Sequence, residues 1–281
     1  GEMVLLNTPA YGYFLHAAEY AGVDVLTSPL HKKADGTFAV DFEDFERKCA
    51  DPRCKLVFWC NPHNPTGRMW TEDELRRAGE IMAKYNLWIV SDEIHCDLIR
   101  AGLRHTPLGK IMPDYDRLIT CMSASKTFNL AGLQASNIWI PDAAVRKKFQ
   151  AELDRVGYFE LNTMAVIACQ TAYESGAEWL NQCKAYLRGN LDFLRDFLRT
   201  RLPQLRLIEP EGTYFAWVEC SGLGLDSYAL NDLILHKAKL WLDAGHIFGK
   251  AWAQYQRIVL ACPRSTLEKA LNQLEAAIQT L

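Results

Sequence analysis

Apolar and polar positions fall along this chain in two rhythms. Up to Pro141, short β-type runs recur at Val4–Leu6, Val23–Leu26, Leu56–Cys60, Trp88–Ser91, Leu118–Met122 and Asn137–Ile140. Helical stretches separate most of them. Thr71-Glu-Asp-Glu74 is a capping box and predicts a helix to about Asn86, with Leu75, Ile81, Met82 and Tyr85 on its buried face. Alternating β and α segments predict an α/β fold, a mainly parallel sheet covered by helices. Beyond Pro141 the rhythm turns helical. Glu178 to Arg201 reads as one amphipathic helix with Trp179, Leu187, Leu191, Leu194 and Leu198 along one stripe. Shorter strands follow at Arg206–Ile208, Tyr214–Val218 and Arg257–Ala261, and Ser265-Thr-Leu-Glu268 reads as a second capping box opening the last helix.

The expected division is a large domain over 1–177 and, over 178–281, an interdomain helix with a smaller C-terminal α+β domain. Residue 1 is Gly rather than Met, and Met3–Leu6 already reads as an interior strand. The large domain is therefore expected to lack its N-terminal part.

Three strand ends carry polar clusters. Leu56–Cys60 runs into Asn61-Pro-His-Asn-Pro-Thr-Gly67, Leu87–Val90 into Ser91-Asp92-Glu-Ile-His95, and Leu118–Met122 into Ser123-Ala-Ser-Lys126-Thr-Phe. In open α/β sheets ligands bind beyond the carboxyl ends of the strands, so an amide, a carboxylate and a lysine should converge there. That set suits an aldehyde cofactor with a ring nitrogen, pyridoxal phosphate. The lysine forms a Schiff base, and the carboxylate keeps the ring nitrogen protonated. Each residue alone has a plainer reading. Most lysines lie on the surface, an Asp after a strand often caps a helix, and Asn-Pro-Thr-Gly is a good turn sequence.

Composition narrows the field. The 281 residues are 49% hydrophobic and 23% charged, ordinary for a soluble globular protein. A net charge of −3 steers toward neither nucleic acid nor anionic membrane. No apolar run approaches the ~20 residues that span a bilayer, and no secretory signal is visible. Nine cysteines without a C-x-x-C pair read as free thiols in a reducing compartment, the cytosol by default. His95-Cys96-Asp97 has no second cluster at ligand spacing, so no metal site is expected.

Taken together, these motifs resemble the fold-type I pyridoxal-phosphate enzymes of the class I/II aminotransferase superfamily, and within it the cystathionine β-lyase/cysteine C–S lyase branch. The likeness runs from Gly1 to the last helix and is most specific at Asn61–Trp70, Ser91–Ile99, Ser123–Gln134 and Cys262-Pro-Arg-Ser265. The resemblance implies that Lys126 carries the cofactor and then takes the Cα proton of the substrate. It implies that Asp92 pairs with the ring nitrogen, Asn64 bonds the phenolic oxygen and Tyr11 stacks on the ring. His95, where many aminotransferases have tyrosine, would donate to that oxygen or join proton transfers. Ser123 and Ser125 would hold the phosphate, and Arg257 would grip the substrate α-carboxylate.

The chain departs from the family pattern at two places. Gln134 stands eight positions after the lysine, where a phosphate-binding arginine is usual, and Val259 stands where the branch often has asparagine. Arg264 is expected to tie the last helix to the preceding strand. The implied activity is cleavage of the Cβ–S bond of a small amino-acid substrate, giving pyruvate, ammonia and a thiol. The implied assembly is a homodimer, with no nucleic-acid or membrane partner. Aminotransferase chemistry on the same residues, or a non-catalytic binding protein of the same fold, are the alternatives.

Overall fold

A computed structural model describes residues 1–158 and 160–281. Its strands in chain order are β1 (Met3–Thr8), β2 (Asp24–Pro29), a small hairpin of β3 (His31–Lys32) and β4 (Phe38–Ala39), β5 (Cys54–Cys60), β6 (Trp88–Asp92), β7 (Leu118–Met122) and β8 (Asn137–Trp139). Apart from the hairpin they form one sheet in the order β2-β1-β5-β6-β7-β8. All its pairs are parallel except β7–β8. Parallel pairing brings the carboxyl ends of β5, β6 and β7 to one edge, and Cys60, Asp92 and Cys121 lie side by side in register there.

The early helices are α1 (Gly12–Ala21), α2 (Phe42–Cys49), α3 (Glu72–Lys84), α4 (Leu108–Ile111) and α5 (Ala124–Thr127). In α3 the capping box forms: Thr71 accepts from Glu74 N–H, and Glu74 accepts from Thr71 N–H. Leu75, Ile81 and Met82 are buried as the period requires, and they pack with Val57, Trp59 and Ile89 of the sheet. Each such side chain contributes roughly 1.5–3 kcal/mol relative to exposure.

The second half holds α6 (Ala143–Arg155), α7 (Thr163–Ser175), α8 (Ala177–Arg201), α9 (Ser227–Asp232) and α10 (Arg264–Ile278). Its strands are β9 (Arg206–Ile208), β10 (Phe215–Glu219), β11 (Asp243–Ala244) and β12 (Tyr255–Val259), an antiparallel sheet ordered β11-β12-β10-β9. On one face lie Leu187, Leu191, Leu194 and Leu198 of α8 and the apolar side of α10. On the other, Trp217 and Tyr255 join the cluster of the large sheet, their rings stacked at 5.1 Å. Arg68 bridges the halves, bonding Glu74 at 2.9 Å and Glu211 at 2.6 Å. Beside it Gly67 has φ 70°, and a Cβ there would run into Pro210. Only glycine fits that approach.

Local readings differ in places. Trp179 is exposed rather than part of the α8 stripe. The last helix begins at Arg264 behind Pro263, without a side-chain cap, because Ser265 already lies inside its first turn. Arg264 bonds Asn190 of α8 at 2.9 Å, and Asn190 in turn bonds the carbonyls of Leu260 and Cys262, so the tie runs through the long helix. β12 starts two residues early because its ladder with β10 spans Tyr255↔Glu219 to Val259↔Phe215. All nine cysteines are free thiols. Among the described residues, no helix is long and apolar enough to cross a membrane.

Candidate active site

A cleft of about 350 Å³ opens where the carboxyl ends of β5 and β6 and the turn after β7 meet β10 and β12. That volume falls within the ~300–1,000 Å³ of small-molecule sites. Tyr11, Asn64, Asp92, His95, Lys126 and Arg257 line it, as do Ser125 and Gln134.

Asp92 ends β6 with its side chain half-buried among strand ends. Among the described residues its one hydrogen bond comes from Ile94 N–H at 3.1 Å. Burial pushes its pKa up to about 6, and the neighbouring Glu93 adds to this, against the Ile94 N–H and the charge of Lys126. A carboxylate so poorly solvated calls for a cation.

Lys126 sits in α5, the single turn that follows β7. Ser123 caps that turn, accepting from Ser125 N–H at 3.0 Å and donating to the Ala135 carbonyl at 2.7 Å. With these two bonds Ser123 shapes the turn that presents Lys126. Among the described residues Ser125 lines the cleft and Ser123 stands just behind it. Thr127 donates to Asp97 at 2.9 Å, tying the same turn to the segment after His95.

His95 is buried between the rings of Tyr214 and Phe215, at 5.6 and 5.7 Å and nearly perpendicular to both. Among the described residues its buried Nδ1 has no partner. Burial drops its pKa to about 3, helped by the charges of Lys126 and Arg257, so the ring is neutral near pH 7. Tyr11 stands half-buried just ahead of α1, against Tyr13 and Phe14. Burial, first of all, raises its phenol pKa.

Arg257 and Asn64 are joined directly. Arg257 Nη1 donates to Asn64 Oδ1 at 2.7 Å, which leaves the Asn64 NH₂ group for a ligand oxygen. Nε and Nη2 of Arg257 donate to Asp243 Oδ2 at 3.1 and 2.6 Å. The guanidinium carbon lies 3.9 Å from the centre of the Phe215 ring and 4.9 Å from that of Phe248.

Sequence reasoning missed Cys60, Phe215 and Asp243. Cys60 lines the cleft, donates to the Pro62 carbonyl at 3.3 Å and is held protonated by burial. Its place at the end of β5 was the available signal. Asp243 offered none, since β11 is two residues long. Behind the cleft, the fully buried Glu93 accepts from Ser91 Oγ, Leu108 N–H and His105 Nε2 at 2.8–3.0 Å, holding the returning chain behind β6.

These residues fit pyridoxal phosphate. The half-buried Asp92 carboxylate, with its raised pKa, suits a protonated ring nitrogen, and the amine of Lys126 suits the aldehyde. The unpartnered His95 Nδ1 and the Asn64 NH₂ suit a phenolic oxygen, and Ser125 suits a phosphate.

Comparison with known proteins agrees. The family model for class I and II aminotransferases matches residues 1–274. The chain is 40% identical over 279 residues to cystathionine β-lyase PatB of Bacillus subtilis, covering 99% of this chain and 72% of that protein. It is 33% identical over 282 residues to protein MalY of Escherichia coli, covering 100% and 72%. Among solved structures, cystalysin of Treponema denticola, which contains a pyridoxal 5′-phosphate cofactor, superposes with a TM-score of 0.96 at 34% identity, over 100% of this chain and 71% of its own.

Proposed function

The chain belongs to the class I and II aminotransferase family, and from that premise we propose that it is a pyridoxal-phosphate-dependent C–S β-lyase. Its substrate is an L-amino acid carrying sulfur at Cβ, such as L-cystathionine. With one water consumed, the products are pyruvate, ammonia and the thiol. The observation that carries this reading is the convergence of the Lys126 amine, the Asp92 carboxylate and the Arg257 guanidinium on one cleft. Likeness to PatB favours lyase over aminotransferase chemistry.

When bound, pyridoxal phosphate supplies an aldehyde that joins the substrate amine and a cationic ring that draws off the electron pair left at Cα. The chain's own groups do the rest. Arg257 offers a planar fork to the α-carboxylate, which fixes the amino acid. Lys126 Nζ then accepts the Cα proton. Asp92 stays ionised once a cation stands beside it, and it keeps that cation protonated. Neutral His95 bonds an oxygen without adding charge. Tyr11 and Phe215 wall the cleft against water, which strengthens each of these interactions.

The same reading takes the protein as a cytoplasmic homodimer, with the large domain over 1–177 and the small one over 178–281. The test loads the protein with pyridoxal phosphate and supplies L-cystathionine without a keto acid. Pyruvate, ammonia and L-homocysteine should appear in equal amounts. A requirement for a keto-acid acceptor, with the C–S bond left intact, would make the protein an aminotransferase.

A further inference from the structure

Arg257 is the most fully held charge in the cleft, and Asp243 does most of the holding. The two residues are cross-strand partners in the antiparallel pair β11–β12. Directly opposed residues project from the same face of a sheet, so the pairing follows from register. Asp243 Oδ2 takes both Nε–H and one Nη2–H, the side edge of the fork, at 3.1 and 2.6 Å. Asn64 takes one Nη1–H at 2.7 Å. Of the five N–H donors of a guanidinium, two remain, one on Nη1 and one on Nη2. The edge on which such a pair runs parallel is the end of the fork. The Phe215 and Phe248 rings lie close by, at 3.9 and 4.9 Å from the guanidinium carbon. Asp243 also acts on the Tyr11 phenol, as do Arg257 and Asp92, so it belongs to the site's electrostatic surroundings.

We propose that Asp243 is a positioning residue for the substrate. By occupying the side edge of Arg257 it fixes the guanidinium plane and leaves the Nη1/Nη2 end as the edge presented to the α-carboxylate. That choice sets where the Cα–H lies relative to Lys126. The inference rests on the reading that Arg257 binds the α-carboxylate. Its signature is a split between binding and reactivity. The Asp243 charge repels an incoming carboxylate, so its loss does not weaken the grip by charge, but it frees the fork to tilt. Misplacement of a reacting group by about 1 Å can cost about a hundredfold in rate. The Asp243 side chain is 35% exposed, so its removal leaves little buried space behind.

The experiment compares wild type, Asp243→Ala, Asp243→Asn and Arg257→Ala, each loaded with pyridoxal phosphate. L-Alanine, which has no leaving group, is the probe. Its dissociation constant is read from the cofactor's absorbance, and its Cα–H exchange rate in D₂O at saturation is read by NMR, per bound cofactor. In Asp243→Ala the affinity should stay within about threefold of wild type or tighten, while exchange slows by roughly tenfold or more. Asp243→Asn keeps an oxygen acceptor for the same N–H groups and should fall between. A merely structural role would lower melting temperature and cofactor content without changing the rate per site. Exchange within about twofold of wild type in Asp243→Ala overturns the proposal, as does a roughly tenfold loss of affinity with exchange intact. If Arg257→Ala leaves alanine affinity unchanged, the carboxylate reading itself fails. If it weakens affinity while Asp243→Ala changes nothing, only the role of Asp243 falls.

Discussion

Asp92 and Arg257 line the same cleft and are held in opposite ways. Arg257 has its partners built in: a carboxylate on one edge, an amide oxygen on another nitrogen, and two aromatic rings close by. Asp92 has one backbone N–H at 3.1 Å, and burial has pushed its pKa up to about 6. A half-buried charge with so few partners is costly, and proteins tolerate one where a ligand will pair with it. The difference separates an anchor from a receptor. Arg257 is fixed before any ligand arrives, whereas Asp92 is left for the ligand to complete.

The largest effect comes from removing the group that both serve. Lys126→Ala should abolish covalent attachment of the cofactor and slow Cα–H exchange by about 10²–10⁴-fold or more. The fold should survive, because Lys126 is absent from both buried clusters. Borohydride reduction and peptide mapping check the assignment. The reduced tag belongs on Lys126, and its recovery on another lysine would move the site.

Asp92→Asn tests the receptor half. The ring nitrogen loses its anion, so exchange should fall by about 10²–10³-fold, or ~3–4 kcal/mol by analogy with other preorganised electrostatic contributions. L-Alanine affinity should hardly change, since Arg257 is untouched. Exchange at the wild-type rate would remove Asp92 from the chemistry.

The two halves were not equally legible in the sequence. Asp92, Asn64 and Lys126 each follow an apolar run, and parallel strands put such ends at one edge, so their convergence could be read from periodicity alone. The α3 capping box and the α8 leucine stripe were readable for the same reason, being local and periodic. Arg257 could be named only by resemblance, because an antiparallel strand of the second sheet brings it to the cleft. Its partner Asp243 depends on the register of a two-residue strand, which no pattern announces. Nor could the bond from Ser123 to Ala135, a carbonyl twelve residues on, be read ahead of the structure. Side-chain commitments of that kind come from tertiary packing and leave no periodic trace.

Arg257→Lys sharpens the anchor half with a smaller effect. An ammonium is a point charge with three donors and cannot serve Asp243, Asn64 and a carboxylate in one plane. Losing one charge-assisted bond of roughly 1.5–3 kcal/mol should raise KM by about 10–100-fold, with a lesser fall in kcat. Unchanged kinetics, or equal activity on the decarboxylated amine, would place carboxylate binding elsewhere.

The smallest effect is the most direct check on whether Asp92 is really left without partners, and it needs no chemistry. In the cofactor-free protein Asp92 titrates near 6, against an ordinary 3.8. Between those values the folded state keeps a proton that the unfolded chain has lost. Stability therefore falls as pH rises through that window, and the loss is complete above pH 6. Asn at position 92 carries no such proton. The stability of wild type relative to Asp92→Asn should drop by about 1 kcal/mol between pH 5 and 8, read from urea unfolding at each pH. His63 and His95 pull the other way. Their pKa values, lowered by burial to about 3, make the fold lose stability as pH drops below their ordinary 6.5. Both histidines are present in both proteins, so their contribution cancels in the difference. A difference that stays flat with pH would mean that Asp92 is already satisfied in the empty cleft, and its contrast with Arg257 would disappear.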